Sequence, residues 1–148
     1  MNTTVRSATK DDFEFAFETK RVALGPHVVA RWGWDEHLQR QIHQDRWSAR
    51  PWFIVQDQGG VSIGTLSVQE HTDHLQFGEF YLLPQFQRQG IGSSLLRSVL
   101  DRADSLSLPV RLEYLKWNPV GSLYRRHAFN VVAENEIHFF LERKPHVR

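Results

Sequence analysis

The chain predicts a mixed α/β fold: a mostly antiparallel sheet with one central β-α-β crossover, flanked by helices. Three observations carry this reading. Hydrophobic spacing switches between helical and strand periods in the order β-α-α-β-β-β-α-β-α-β-β. Most neighbouring strand segments are joined by short polar turns, which favour antiparallel hairpins. One long amphipathic segment separates two strand segments, as a parallel crossover requires.

Each element follows in turn. Thr3 to Ala8 reads as a short first strand. Thr9-Lys10-Asp11-Asp12 reads as a capping box with Asp in place of Glu or Gln, and Phe13, Ala16, Phe17 and Leu24 place an apolar stripe on the helix that follows. Gly25-Pro26 is expected to end that helix. The stretch His27 to Arg50 is less regular; Asp35 can cap a helix that buries Leu38 and Ile42. Trp52 to Gln56 is a strand, closed by the turn Asp57-Gln58-Gly59-Gly60, and Val61 to Val68 is the next. Gln69 to His74 is a polar turn, and Leu75 to Leu83 is a strand that stops at Pro84.

The long helix is marked by Ile91, Leu95, Leu96, Val99, Ala103 and Leu106, at spacings of three and four. Pro109 introduces a strand from Val110 to Trp117. Asn118 then caps a short helix with Pro119 at its first position, where the missing N–H is not needed. That helix is expected to run to about His127. Phe129 to Ala133 and Ile137 to Leu141 form a closing hairpin.

A chain of 148 residues fits one domain, 1–148, large enough to bury a core. The absence of Cys removes disulfides, thiolate metal sites and a Cys nucleophile. Together with an N-terminus that lacks the apolar core of a secretory signal, it suggests a cytoplasmic location. No apolar run approaches the ~20 residues of a membrane span, so no membrane partner is expected. A net charge of +1 gives no electrostatic reason to expect nucleic acid. His71-x-x-His74, with Glu70 and Asp73, lies in a turn without an apparent fourth ligand and reads as a solvated turn, so no metal is expected.

The most informative stretch is Gln87-Arg88-Gln89-Gly90-Ile91-Gly92. It lies between the strand ending at Leu83 and the helix beginning near Ile91. The first turn of a helix has N–H groups without intrahelical partners and carries the positive end of the macrodipole. Glycines let a ligand approach that backbone, which makes a site for phosphate oxygens. A Walker loop is excluded because no Lys follows either glycine, and a dinucleotide fingerprint fails at Leu95. The pattern that remains is Gln/Arg-x-x-Gly-x-Gly/Ala, which Gln87, Gly90 and Gly92 satisfy. The plain alternative is a polar turn that uses two glycines for backbone freedom.

Here the chain resembles the GNAT family of acyl-CoA N-acyltransferases. The run Leu82 to Gly92 is similar to the family's strand-loop-helix core. Asn118-Pro119, Leu123-Tyr124-Arg125-Arg126 and Ala128-Phe129 are similar to its second segment on the CoA side. Element order agrees along nearly all of the chain. The resemblance implies a GNAT-like sheet and an N-acetyltransferase that uses acetyl-CoA as acyl donor, without a metal. The amine would attack directly in a ternary complex, and its bearer would be a small molecule or a protein. A homodimer is also in keeping with the family. The alternative is a non-catalytic acyl-CoA-binding or sensing module of the same fold, which turnover separates.

Residue roles follow from that resemblance. The backbone of Gln87, Arg88, Gln89, Gly90, Ile91, Gly92 and Ser93 would cradle the CoA pyrophosphate, with the first three side chains adding polar contacts. Backbone groups at Leu82 and Leu83 would pair with the pantetheine arm. Asn118 matches an Asn that often contacts the cofactor, and it is equally a good N-cap. Tyr124 matches the family's general acid; a phenol of pKa about 10 can donate to the leaving thiolate at neutral pH. Glu79, near the expected strand distortion, is the candidate base, since partial burial suits a carboxylate to accept the amine's proton. Trp32, Trp34 and Glu36 fall where the family shapes its acceptor pocket, and rings plus carboxylates can bind a cationic amine. Packing is their plain alternative. One departure is Ala128, where the family commonly has Gly; Ala disfavours the left-handed turn expected there.

Overall fold

The computed structural model describes residues 2–146; Met1, Val147 and Arg148, at the ends of the expected 1–148 domain, lie outside the described residues. The elements are β1 (Thr4–Ser7), α1 (Phe13–Trp32), α2 (Glu36–Ala49), β2 (Trp52–Gln56), β3 (Ser62–Glu70), β4 (Leu75–Leu82), α3 (Ile91–Ser105), β5 (Val110–Leu115), α4 (Gly121–Arg126), β6 (Asn130–Glu134) and β7 (His138–Arg143). Short 3-10 turns lie at Lys10–Asp12 and Pro84–Phe86. The fold is mixed α/β, with the hydrogen-bonded strand order β1-β2-β3-β4-β5-β7-β6. The pairs β1–β2, β2–β3, β5–β7 and β6–β7 are antiparallel, and β4–β5 is parallel, so the single crossover runs through α3.

Backbone contacts divide the described chain into two compact units. One runs up to Ser67 and includes Glu79–Ile91; the other holds Val68–Gly78 and everything from Gly92 onward.

In the first unit, the Thr9 capping box forms: the Thr9 N–H donates to Asp12 Oδ2 at 2.8 Å, and both Asp12 oxygens also take Arg6 at 2.8 Å. Helix α1 does not stop at Gly25-Pro26 as expected. It runs through Pro26 to Trp32 and ends at Gly33, whose φ of +75° suits a residue without Cβ. Pro26 forfeits one intrahelical bond. Burial of Leu24 and Val28 on either side of it keeps the helix packed through the defect. Asp35 caps α2, its Oδ1 accepting from the Leu38 N–H at 3.1 Å. The residue α2 buries is His43, not Leu38, which stays 52% exposed. The His43 ring lies among Phe13 (4.6 Å), Phe17 (5.4 Å), Trp47 (5.7 Å) and Trp52 (5.2 Å). The β2–β3 turn forms as expected, with Asp57 Oδ1 accepting from the N–H groups of Gly59 and Val61. Strand β3 presses closely on the end of β4: a Cβ on Gly64 would sit 2.5 Å from the Tyr81 carbonyl oxygen.

In the second unit, Leu95, Leu96, Leu100 and Ala103 form the buried stripe of α3, while Leu106 lies beyond its end and is exposed. Strand β5 alternates, with Val110, Leu112 and Tyr114 buried. It ends at Leu115, before the expected Trp117. Helix α4 starts later than expected, at Gly121; Asn118 instead caps the preceding turn, its Oδ1 accepting from the Val120 N–H at 3.1 Å. Ala128 adopts the left-handed turn despite its Cβ, with φ +69°. Bonds from the Ala128 N–H to Arg125 O and from the Phe129 N–H to Tyr124 O hold that turn, each 3.2 Å. Phe129 is buried edge-on against Tyr124, which offsets the strain.

Candidate functional site

The first unit carries the glycine-bearing loop. After Leu82, the 3-10 turn Pro84–Phe86 reverses the chain, and Gln87 to Gly90 deliver it to α3. Arg88 and Gly90 both have positive φ, +62° and +81°. A Cβ placed on Gly90 meets nothing within 4 Å, so the backbone is open where a ligand would approach. Two loop side chains brace the loop itself. The Gln87 amide donates to Leu82 O at 2.9 Å, and the Gln89 amide donates to Gln85 O at 2.8 Å. Arg88 is exposed and adds a positive charge beside the start of α3. Ile91 is buried and anchors the first turn, while Gly92 and Ser93 are half-buried. Of the strand-end pair, the Leu83 N–H donates to Ile63 O at 3.0 Å.

Glu79 lies on β4, three residues before Leu82, and differs from its expected setting. Its side chain is fully covered rather than partly so, and its backbone φ is +49°. Oε1 is shared by Arg46 Nη1 at 2.9 Å and Arg50 Nη1 at 3.0 Å. Oε2 is buried without a hydrogen-bond partner. The Thr65 hydroxyl donates to the Glu79 carbonyl at 2.8 Å and supports the distorted backbone. Lys20 of α1, also buried, completes the cluster. Its pKa is drawn down to about 8, first by burial; Glu79 opposes the shift, and Arg46 and Arg50 add to it.

Sequence reasoning missed Lys20, His43, Arg46 and Arg50. The signal was partly present: His43 and Arg46, three residues apart, share one face of α2, and Arg50 follows that helix directly.

Of the expected acceptor-pocket residues, Trp34 and Glu36 are bonded to each other. The Trp34 indole N–H donates to Glu36 Oε2 at 2.8 Å, and the Trp34 ring lies 6.3 Å from that of Phe17. Glu36 also takes Arg40 at 3.2 Å. Trp32 is half-exposed near the end of α1.

The second unit holds Tyr124 on α4, buried between Tyr114 (rings 5.8 Å apart) and Phe129 (5.6 Å). Burial pushes its phenol well above the usual value, and Tyr114 adds to the shift. Gly121, one turn earlier, is required by close approach, because a Cβ there would collide with the Tyr114 hydroxyl. His71 and His74 stack at 4.5 Å in the β3–β4 turn. No group of three or more metal-ligating side chains occurs among the described residues. No helix among them is long and apolar enough to cross a membrane.

A mixed sheet whose single crossover begins at a glycine-bearing loop is the framework of the acetyltransferase class that the sequence resembles. Residues 7–129 match the Acetyltransferase (GNAT) family, and the chain belongs to that family. Solved structures agree on the fold. The PaiA N-acetyltransferase of Thermoplasma acidophilum, determined with coenzyme A, superposes with a TM-score of 0.77 at 18% identity, covering 97% of this chain and 99% of that one. The ribosomal-protein-S18-alanine N-acetyltransferase of Escherichia coli gives 0.70 at 17%, covering 99% and 96%. The protein yncA of Salmonella typhimurium, with its cofactor acetyl-CoA, gives 0.61 at 18%, covering 100% and 96%. No curated protein matches the chain by sequence.

Proposed function

We propose that this protein is an N-acetyltransferase that moves the acetyl group of acetyl-CoA to a primary amine by direct attack in a ternary complex. The observation that carries the reading is the open backbone at Gly90, at the head of α3. Free amides and the helix dipole favour phosphate oxygens at such a place. Arg88, exposed on the loop, adds a charge-assisted contact. When bound, acetyl-CoA supplies an activated thioester.

The chain's own residues supply the rest. Gln87, bonded to Leu82 O, fixes the loop to the strand end where the pantetheine arm would run. Tyr124 keeps its proton at any physiological pH and donates it to the departing thiolate. Glu79 is assigned a structural part in place of the base role: its Oε1 is shared by two guanidiniums and its Oε2 is covered. Holding amine and thioester together supplies much of the rate gain.

Calorimetric titration with acetyl-CoA, CoA and ATP tests the reading. Binding of acetyl-CoA well above ATP, followed by thiol release with an amine, is the expected result. No binding of either CoA species overturns it, and binding without turnover on any amine identifies a sensor of the same fold.

A further inference from the structure

Gly64 marks the close approach of β3 to the end of β4. It is buried, and its φ is not positive, so no left-handed turn requires a glycine there. Space requires it. A Cβ at this position would lie 2.5 Å from the Tyr81 carbonyl oxygen, 2.7 Å from Leu82 Cδ2 and 3.3 Å from Leu82 Cα. Two of those three atoms are backbone, which no rotamer change moves aside. Carbon atoms rest against each other at about 3.5–4 Å. A methyl group on residue 64 would therefore push the strand end away by about 1 Å.

Bonds on either side of Gly64 fix the same stretch. The Thr65 hydroxyl donates to Glu79 O at 2.8 Å, and the Leu83 N–H donates to Ile63 O at 3.0 Å. Ile63, Gly64 and Thr65 are consecutive on β3, and together they meet the chain from Glu79 to Leu83. At Leu82 the constraint passes on to the glycine-bearing loop, because the Gln87 amide donates to Leu82 O at 2.9 Å. One glycine thus sets how far the strand end, and the loop tied to it, lie from β3.

We propose that Gly64 is a positioning residue of the acyl-donor site: its missing side chain lets the end of β4 lie where Leu82 and Leu83 pair with the pantetheine arm. This assignment rests on the acetyltransferase reading above. Gly64 touches no reacting atom and acts through the backbone of Tyr81 and Leu82. A ligand that pairs with a strand is held by main-chain hydrogen bonds. A displacement of about 1 Å stretches such a bond out of its useful range. The same misplacement at a reacting group can cost ~10²-fold in rate.

The experiment titrates wild type and Gly64→Ala with acetyl-CoA and with CoA by calorimetry, well below the midpoint of each protein's thermal transition. Gly64→Ala is expected to weaken both ligands by at least ~10-fold. Leu141→Val, a buried substitution on β7, controls for lost stability and is expected to leave both affinities unchanged. Loss of stability alone does not alter the affinity of molecules that remain folded, so the comparison separates positioning from packing.

A second pair, Leu82→Ala and the double variant Gly64→Ala with Leu82→Ala, keeps the test open where the single variant folds poorly. It removes the overlap with Leu82 Cδ2 and leaves the 2.5 Å approach to Tyr81 O. The same gap of at least ~10-fold is expected within this pair. Equal affinities in wild type and Gly64→Ala overturn the assignment. So does a gap that vanishes in the Leu82→Ala background, which would trace the effect to side-chain crowding. Failure of both Gly64 variants to fold would make Gly64 a residue of the fold and not of the site, and overturns it too. In each of these cases, acetyl-CoA binding by wild type leaves the acetyltransferase reading standing. No binding by wild type overturns that reading, and the assignment with it.

Discussion

The Thr65 hydroxyl donates to the backbone carbonyl of Glu79 at 2.8 Å, and so a buried side chain of β3 holds the most distorted residue of β4 in place. Glu79 has φ +49°, which a side chain adopts at a cost of ~1 kcal/mol or more. Removing the hydroxyl leaves that carbonyl unsatisfied, at a cost of about 1–3 kcal/mol. Thr65→Val is therefore expected to lower Tm by several degrees. It should also reduce turnover, because the Arg46–Glu79–Arg50 arrangement loses its backbone support. A variant with unchanged Tm and rate would show that the distortion is held by other contacts.

The element order was legible because it rests on local periodicity, and periods of two and of 3.6 are hard to confuse over long segments. Asp57 to Gly60 and the Gly90 loop were legible for a related reason: their turn chemistry sits in consecutive residues. Pro26 misled because its effect is local, whereas the burial of Leu24 and Val28 that carries α1 through it is tertiary. The Glu79 cluster escaped notice because its members come from α1, α2 and β4. Nothing in the spacing from Arg46 and Arg50 to Glu79 announces that two guanidiniums share one carboxylate oxygen.

Tyr124 lies buried beside Tyr114 with a phenol held well above its ordinary value. A general acid must be protonated to act, and the upward shift extends its protonated range to higher pH. Tyr124→Phe is expected to lower kcat by ~10²-fold or more, with a much smaller change in CoA affinity. The wild-type rate should show no descending limb from this group below about pH 10. A full-rate Phe variant would remove Tyr124 from the chemistry.

Gly90 combines φ +81° with open space around its Cβ position. A branched side chain there strains the turn and occupies the approach to the start of α3. Gly90→Val is expected to weaken CoA binding at least ~10-fold while keeping a cooperative unfolding transition, since the loop is exposed. Calorimetry with CoA reads the effect directly. Unchanged affinity would dissociate the loop from the ligand.

Ala128 sits in the left-handed region at φ +69°, between α4 and the buried Phe129. The strain is roughly 1–2 kcal/mol, and glycine relieves it while loosening the unfolded chain by less than ~1 kcal/mol. Ala128→Gly should therefore raise stability by about 0.5–1 kcal/mol in urea unfolding. A loss of stability would mean that the Cβ makes a contact worth more than the strain.

His43 predicts how the protein fails in acid. The ring is fully buried in the aromatic cage, and its pKa falls from 6.5 to about 4, through burial first and Lys20 second; the Phe13 carbonyl opposes the shift. The folded pKa lies below the unfolded one, so the unfolded chain takes up the proton first as pH falls. The neutral ring's contribution is complete above about pH 6.5 and is lost as pH drops towards 4. The loss amounts to about 3 kcal/mol over that window. Asp12, held near 2 chiefly by Arg6, acts in a separate and lower window, below 3.8. Urea unfolding at intervals from pH 4 to 8 should show the first decline, and His43→Phe should flatten it. The substitution gives up the 3.3 Å contact between Nε2 and Phe13 O, but it removes the buried Nδ1 that has no partner. A wild-type profile that is flat between pH 4 and 6.5 would mean that the ring is protonated in the folded state, and that the cage around it opens to water.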